Sequence, residues 1–393
     1  MLSRREFVAG AAALPFALRA MAEPVAAPKW LLMGTDLGKG IYRARWDAAS
    51  GELGPAELAI ATDRPDFFAM HPKLPVLYSV NSVGGGKGGV SSFRVDAATG
   101  GLTLMNRVSS HGDGPCAVSV AAQGLNAYVA NYQGGTVAAY DLTEDGRLQE
   151  PMTGTKELFQ FDCRSNTACG IPGPLKARQD AAHMHCVTIS PNDNWLLSCN
   201  LGEDAIELFR LGSEGDFDVQ QRVPARVGSG PRHVAFHPGG DWLNCIHELD
   251  CTVDLYKWNE IHASVFVNRV EGSTVSTLAK GMPLAGNTAC EIVVSDDGRF
   301  VYTCTRGVDE ITVYRVDAKT GLLAEQQRLS CGGRIPRYFA FDPSRRWLVC
   351  TNQGTGVAGS GNITVFAHDA ATGKLSDTPK SFAADTPMFV LWA

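Results

Sequence analysis

Ionisable residues recur in this chain at one fixed spacing. Arg232 and His233 are followed by Glu248, sixteen residues after Arg232. Cys290 and Glu291 are followed by Arg306, and Arg337 by Gln353, each at the same interval. His185 holds the leading position in a further segment. These residue types share a chemistry. An imidazole or a carboxylate can accept a proton near neutral pH, while guanidinium groups hold negative charge on an oxyanion, a carboxylate or a phosphate. Taken singly, each also has a structural reading, as a satisfied buried histidine or as one half of an ion pair. The common spacing requires an explanation of its own.

That explanation is an internal repeat. Six segments align on Arg232-His233-Val234-Ala235-Phe236-His237-Pro238-Gly239-Gly240-Asp241-Trp242, with counterparts beginning at Asp66, Cys116, His185, Cys290 and Arg337. Each holds an apolar strand, a tight turn and a second strand ending at Ser82, Tyr132, Leu201, Glu248, Arg306 or Gln353, always sixteen residues on. A third strand rich in β-branched and aromatic residues follows. Several units then enter a turn like Asp96-Ala97-Ala98-Thr99-Gly100, seen again at residues 317–321 and 369–373. Asp and Gly suit such turns because one bonds its own backbone and the other accepts positive φ. A seventh unit is split between the termini. Trp30-Leu31-Leu32-Met33-Gly34-Thr35-Asp36 reads as its second strand, and Pro387-Met388-Phe389-Val390-Leu391-Trp392 as the missing first strand.

Seven such units, of about 53 residues each, predict an all-β fold: a seven-bladed β-propeller over residues 28–393, closed by the C-terminal strand pairing into the N-terminal blade. Antiparallel neighbours bring the start of a first strand and the end of a second to the same rim. One mouth should therefore gather His185, Arg232, His233, Glu248, Glu291, Arg306, Arg337 and Gln353. The position just before the second register holds Asn81, Asn131, Asn200 and Asn352 in four units, and a residue repeated around a ring suggests a structural bond, not a ligand contact. Longer intervals before His185 and Cys290 place residues 150–182 and 260–288 as covers over the mouth. Closure of that kind would exclude water.

Composition narrows the partners. With 35 Lys+Arg against 41 Asp+Glu in 393 residues, and no basic block, the chain lacks the cationic face that nucleic acid requires. A charged fraction of 19% and 45% hydrophobic residues exclude disorder and coiled coil. The glycine run at residues 84–89 opens no strand-to-helix context, so it is a rim loop, not a phosphate cradle. No Cys-x-x-Cys spacing supports zinc, and neither metal nor cofactor is expected.

Ser3-Arg4-Arg5-Glu6-Phe7-Val8, an apolar run to Leu18 and Ala20-Met21-Ala22 form a twin-arginine export signal, with cleavage expected after Ala22 and the periplasm as destination. The apolar run is too short to span a bilayer, so no stable membrane anchor is expected. The twin-arginine machinery is then a partner only during export. Of the eleven cysteines, Cys199, Cys245, Cys304 and Cys350 sit in apolar strands as small hydrophobes. Cys163 and Cys169, in a polar insertion, are candidates for a loop disulfide.

These motifs carry a resemblance. Gly230-Pro231-Arg232-His233-Val234-Ala235-Phe236-His237-Pro238 with His247-Glu248-Leu249, Cys290-Glu291-Ile292-Val293-Val294-Ser295 with Thr305-Arg306-Gly307, and Ile335-Pro336-Arg337-Tyr338-Phe339 with Thr351-Asn352-Gln353 resemble the seven-bladed propeller lactonases. That family includes 6-phosphogluconolactonase, carboxymuconate cyclase and an exported gluconolactonase. The resemblance implies a catalytic set of His185, Arg232, Glu248 and Arg306, with His233, Glu291, Arg337 and Gln353 binding substrate. It implies a small lactone as substrate, glucono-1,5-lactone in the periplasm, with the 6-phosphate, a cycloisomerase or a non-catalytic binding propeller as alternatives. Glu248 or His185 would activate water, and Arg232 and Arg306 would hold the oxyanion. His247 and Thr305 depart from the family's asparagines.

Overall fold

The computed structural model describes residues 29–150, 158–160, 173–212, 217–261 and 264–393. The expected export signal, Cys163 and Cys169 lie outside the described residues. Seven antiparallel sheets of four or five strands follow one another along the chain. The seventh unit is completed across the termini: Pro387–Trp392 pairs with Trp30–Thr35, Leu31 facing Trp392 and Gly34 facing Phe389. The chain is a seven-bladed β-propeller with its last edge closed.

The repeated turn explains how blades lock together. Asp96 Oδ1 accepts from Ala98 N at 2.9 Å, its Oδ2 accepts from Thr99 Oγ1 at 2.7 Å, and Gly100 takes φ +67°. A Cβ on Gly100 would stand 2.6 Å from the Trp30 ring of the preceding blade. Gly321 lies in the same way on Trp242, and Gly373 on Phe300. A fourth copy, Asp47-Ala48-Ala49-Ser50-Gly51, uses serine for threonine and lies on Trp347. Each glycine permits both the left-handed turn and contact with a flat ring.

Between blades the core is continuous. Trp195, Leu197 and Cys199 pack with Val234, Leu243, Cys245 and Trp258 of the next blade. Cys290, Tyr302 and Cys304 pack with Phe339, Leu348 and Cys350. The nine described cysteines are free thiols, eight of them buried, so they serve as small hydrophobes.

The recurring asparagines are structural. Asn131 Nδ2 donates to Ser110 O at 2.8 Å and Thr136 Oγ1 at 2.9 Å, and Asn81 Nδ2 donates to Asp63 O at 2.7 Å. Asn200 and Asn352 likewise bond buried partners near their strand ends. Where the pattern departs, the role persists. His247 Nε2 lies 3.0 Å from Asp254 Oδ2, with both side chains wholly buried, and Thr305 Oγ1 bonds Thr277 Oγ1 at 2.8 Å.

One expectation fails. The described residues of 260–288 do not line the mouth cavity. They form the outer strand Ser264–Arg269 and the short strand Val275–Ser276, both paired to Thr252–Ile261 on the flank of their blade. Extra length was absorbed at the outer edge, where an unpaired strand ladder offers hydrogen-bonding groups.

Candidate active site

Five blades carry a register shift where the first strand meets the end of the second: at Gly34/Thr35, Ala130/Asn131, Pro231/His233, Ala289/Ile292 and Pro336/Tyr338. A regular strand sends neighbouring side chains to opposite faces. A bulge breaks that alternation and re-aims a side chain. Consecutive pairs therefore reach one cavity: Arg232 with His233, Arg337 with Tyr338, and Met388 with Phe389. The cavity measures 630 Å³ at the ring's mouth.

All eight residues expected at the mouth line this cavity: His185, Arg232, His233, Glu248, Glu291, Arg306, Arg337 and Gln353. Two register positions do not. Leu201 is wholly buried in the 3₁₀ turn Leu201–Glu203, and Cys290 points back to donate its thiol to Arg337 O at 2.9 Å.

Glu248 organises one wall. Its Oε2 lies 3.1 Å from Arg232 Nε and 3.0 Å from Arg306 Nη2, while Oε1 receives Arg178 Nη2 at 2.5 Å. Burial alone would raise the Glu248 carboxyl. Arg306, His185, Arg232 and Arg178 override that and hold it well below its ordinary value, so it is a fixed anion. His185 Nε2 is 3.7 Å from Glu248 Oε2. Burial, reinforced by the Arg232 charge and only partly offset by Glu248, holds the His185 imidazole well below its ordinary range. It is neutral at neutral pH.

Arg178 is absent from the sequence-based set. It rides on the described end of the insertion before His185, which has no counterpart in other blades, so no register could single it out. That segment does reach the mouth as expected, held by Gly173 N to Gly202 O at 3.0 Å and Gln179 Nε2 to Leu201 O at 3.0 Å. The tyrosine beside it, Tyr132, stacks on His183 and meets His185 edge-on at 5.2 Å.

The opposite wall is built from Asp36, Arg64, Asp66 and Gln353. Arg64 Nη2 pairs with Asp36 Oδ1 at 2.8 Å, and Gln353 Nε2 donates to Asp36 Oδ2 at 3.0 Å. Burial pushes the Asp66 carboxyl up to about 7, with Arg337 and Arg64 opposing. Asp66 stood at the register in the sequence but carried no chemical role there, because its burial was not legible. Arg337 lies between the walls, and among the described residues no carboxylate pairs with its guanidinium. Buried atoms around the cavity without hydrogen-bond partners include Asp66 Oδ1, His185 Nδ1 and Arg306 Nε, the kind of groups a polar ligand satisfies.

A neutral His185 imidazole, guanidiniums around a fixed anion and a bare guanidinium in one 630 Å³ cavity suit addition of water to a carbonyl. Ring and cavity together define a propeller hydrolase with its ionisable groups gathered at one mouth. Residues 31–392 match the family described as "Lactonase, 7-bladed beta-propeller", and the chain belongs to that family. It is an enzyme of lactone hydrolysis. A Bacillus subtilis relative named 6-phosphogluconolactonase is 31% identical over 352 residues, covering 90% of this chain and 94% of that protein. A solved structure of a putative 6-phosphogluconolactonase from Bacteroides uniformis is 26% identical, with TM-score 0.81, covering 93% of this chain and 99% of that one. The Pseudomonas aeruginosa periplasmic gluconolactonase gives TM-score 0.81 at 26% identity, covering 92% of this chain and 98% of its own.

Proposed function

We propose that the chain hydrolyses glucono-1,5-lactone to gluconate in the periplasm, after export by the twin-arginine signal at residues 1–22. The observation that carries the choice of a free lactone is the charge pairing of the cavity. Five arginines line it, a number that by itself invites a phosphate. Three of them, Arg178, Arg232 and Arg306, are engaged by the single carboxylate of Glu248, which takes up their donors but only one of their three charges, and Arg64 is paired to Asp36. Among the described residues Arg337 alone is left without a carboxylate partner, enough for a polarised carbonyl or a hydroxyl, whereas a dianion would have to draw the other guanidiniums away from Glu248 and Asp36. Arg232 and Arg306 orient the lactone and steady its oxyanion, Glu248 sets their positions, and His185 offers an unprotonated nitrogen. Arg337 and Gln353 bind the hydroxyl-bearing end.

The second reading, 6-phosphogluconolactonase, is favoured by the names of the relatives and by Arg337. Acid release from fresh glucono-1,5-lactone and from its 6-phosphate at pH 6 separates the two. A kcat/KM at least tenfold higher for the free lactone supports the proposal, and the reverse order overturns it. Replacing Arg4 and Arg5 by Lys should move the activity from the periplasmic fraction to the cytoplasm.

A further inference from the structure

Neither group first expected to activate water is well made for it. Both oxygens of Glu248 are taken by guanidinium groups, and an anion so stabilised is a feeble base. Among the described residues His185 has no carboxylate closer than 3.7 Å, and its Nδ1 has no partner to fix a tautomer. Burial disfavours the imidazolium it would have to become.

We propose that His233, oriented by Glu291, is the base that takes the proton from the attacking water, a role that rests on lactone hydrolysis as the activity of this site. Two bulges in adjacent blades create the pair. The shift at Pro231/His233 turns His233 into the cavity, and the shift at Ala289/Ile292 turns Glu291 towards it. His233 Nδ1 lies 2.9 Å from Glu291 Oε1, and that oxygen also accepts from Ile292 N at 2.9 Å, which fixes the carboxylate. A carboxylate on Nδ1 holds the proton there and leaves the lone pair on Nε2. It also stabilises the imidazolium formed when Nε2 gains a proton.

The surroundings suit that task. Arg232, from the same strand, places Nη1 3.2 Å from Nδ1 and 3.3 Å from Nε2, and shares that group with Cys290 O. A water displaces only a long, shared contact to reach Nε2. The His185 ring meets His233 edge-on at 5.3 Å, and Phe67 does so at 6.4 Å. Glu248, Arg306, Arg337, Asp66 and Tyr338 are further charged or titratable groups on the cavity wall, and Cys186 lies near His233 from the blade before.

The step balances without any co-reactant. Nε2 removes a proton from water as the water oxygen bonds the lactone carbonyl carbon, and the carbonyl π electrons move to its oxygen, beside the guanidiniums. Collapse of that intermediate breaks the ring C–O bond, and the departing ring oxygen takes the proton back from Nε2. Glu291 never touches substrate and is a positioning residue.

Wild type, His233→Ala, His233→Gln and Glu291→Gln are assayed on glucono-1,5-lactone and its 6-phosphate across pH 5–8, with melting curves to confirm folding. Loss of the base should lower kcat on the order of a hundredfold with KM little changed. Added imidazole should restore His233→Ala above its effect on the uncatalysed reaction. Glu291→Gln should lower kcat about tenfold or more and move the acid limb of the pH profile to lower pH, because the anion that favours the imidazolium is gone. A merely structural Glu291 would leave that limb in place. Folded His233 variants with wild-type kcat/KM on an accepted lactone overturn the dyad alone. Wild-type protein inert towards both lactones overturns the substrate reading and the dyad's role with it.

Discussion

Replacing Glu248 by Gln tests the electrostatic construction of the site. In wild type one carboxylate faces Arg178, Arg232 and Arg306, and its side chain is 2% exposed. Removing one partner of a buried ion pair costs about 3–5 kcal/mol, because the remaining charges stay desolvated. Gln keeps the shape but leaves three guanidiniums without their counter-charge, so the upper part of that range applies. At about 2.1 cal/mol/K per residue over the ~365 residues from Lys29 onwards, the unfolding entropy is near 0.8 kcal/mol/K, and the loss becomes a drop of about 5–6 °C in Tm. The pH dependence follows in sign. Glu248 has a folded pKa well below its ordinary value of 4.5, so its contribution is full above that value and fades as pH falls through the folded one. Calorimetry should show the gap between wild type and Glu248→Gln widest above pH 5 and narrowing in acid. Sulfate or phosphate should stabilise the variant more than wild type by occupying the vacated charge site. A Tm within 1 °C of wild type at pH 7 would refute the claim that this carboxylate holds the arginines together.

Gly202→Ala should disturb the site from beneath: the new Cβ would fall 1.7 Å from Ala181 O, so the segment bearing Arg178 must lift. Overpacking of this kind costs about 1–3 kcal/mol, read by calorimetry, and KM for the lactone should rise more than kcat falls. Asp66→Asn has a different signature. A folded pKa raised from 3.8 to about 7 means the acid form is favoured in the fold, so wild type loses stability as pH rises from about 4 to 7. Asn does not titrate, and the variant's Tm should gain on wild type across that window and then run parallel to it. A constant offset from pH 4 to 8 would show that Asp66 titrates normally.

Much of the architecture was legible because a propeller is a repeat, and a repeat writes its period into the chain. The sixteen-residue offset, the asparagines at strand ends and the split seventh unit are consequences of strand length and antiparallel pairing, which local sequence controls. The same offset brought His185, Arg232, Glu248 and Arg306 to one rim. Arg178 escaped because its segment is irregular and has no period to betray it. The fourth locking turn, at Asp47 to Gly51, escaped because serine stands where threonine was sought.

What the sequence determined, then, was the ring and the list of side chains delivered to its mouth, since both depend on counting along strands. Their roles were decided only in three dimensions. The bulges that send His233 and Glu291 towards each other add one residue to one strand of a pair, a backbone geometry visible only once the strands are paired. Whether a carboxylate is a base or an anchor depends on how many guanidiniums surround it in the folded state. Three converge on Glu248 from the segment before His185, from its own blade and from the next, and that convergence is a property of the closed ring, not of any stretch of chain.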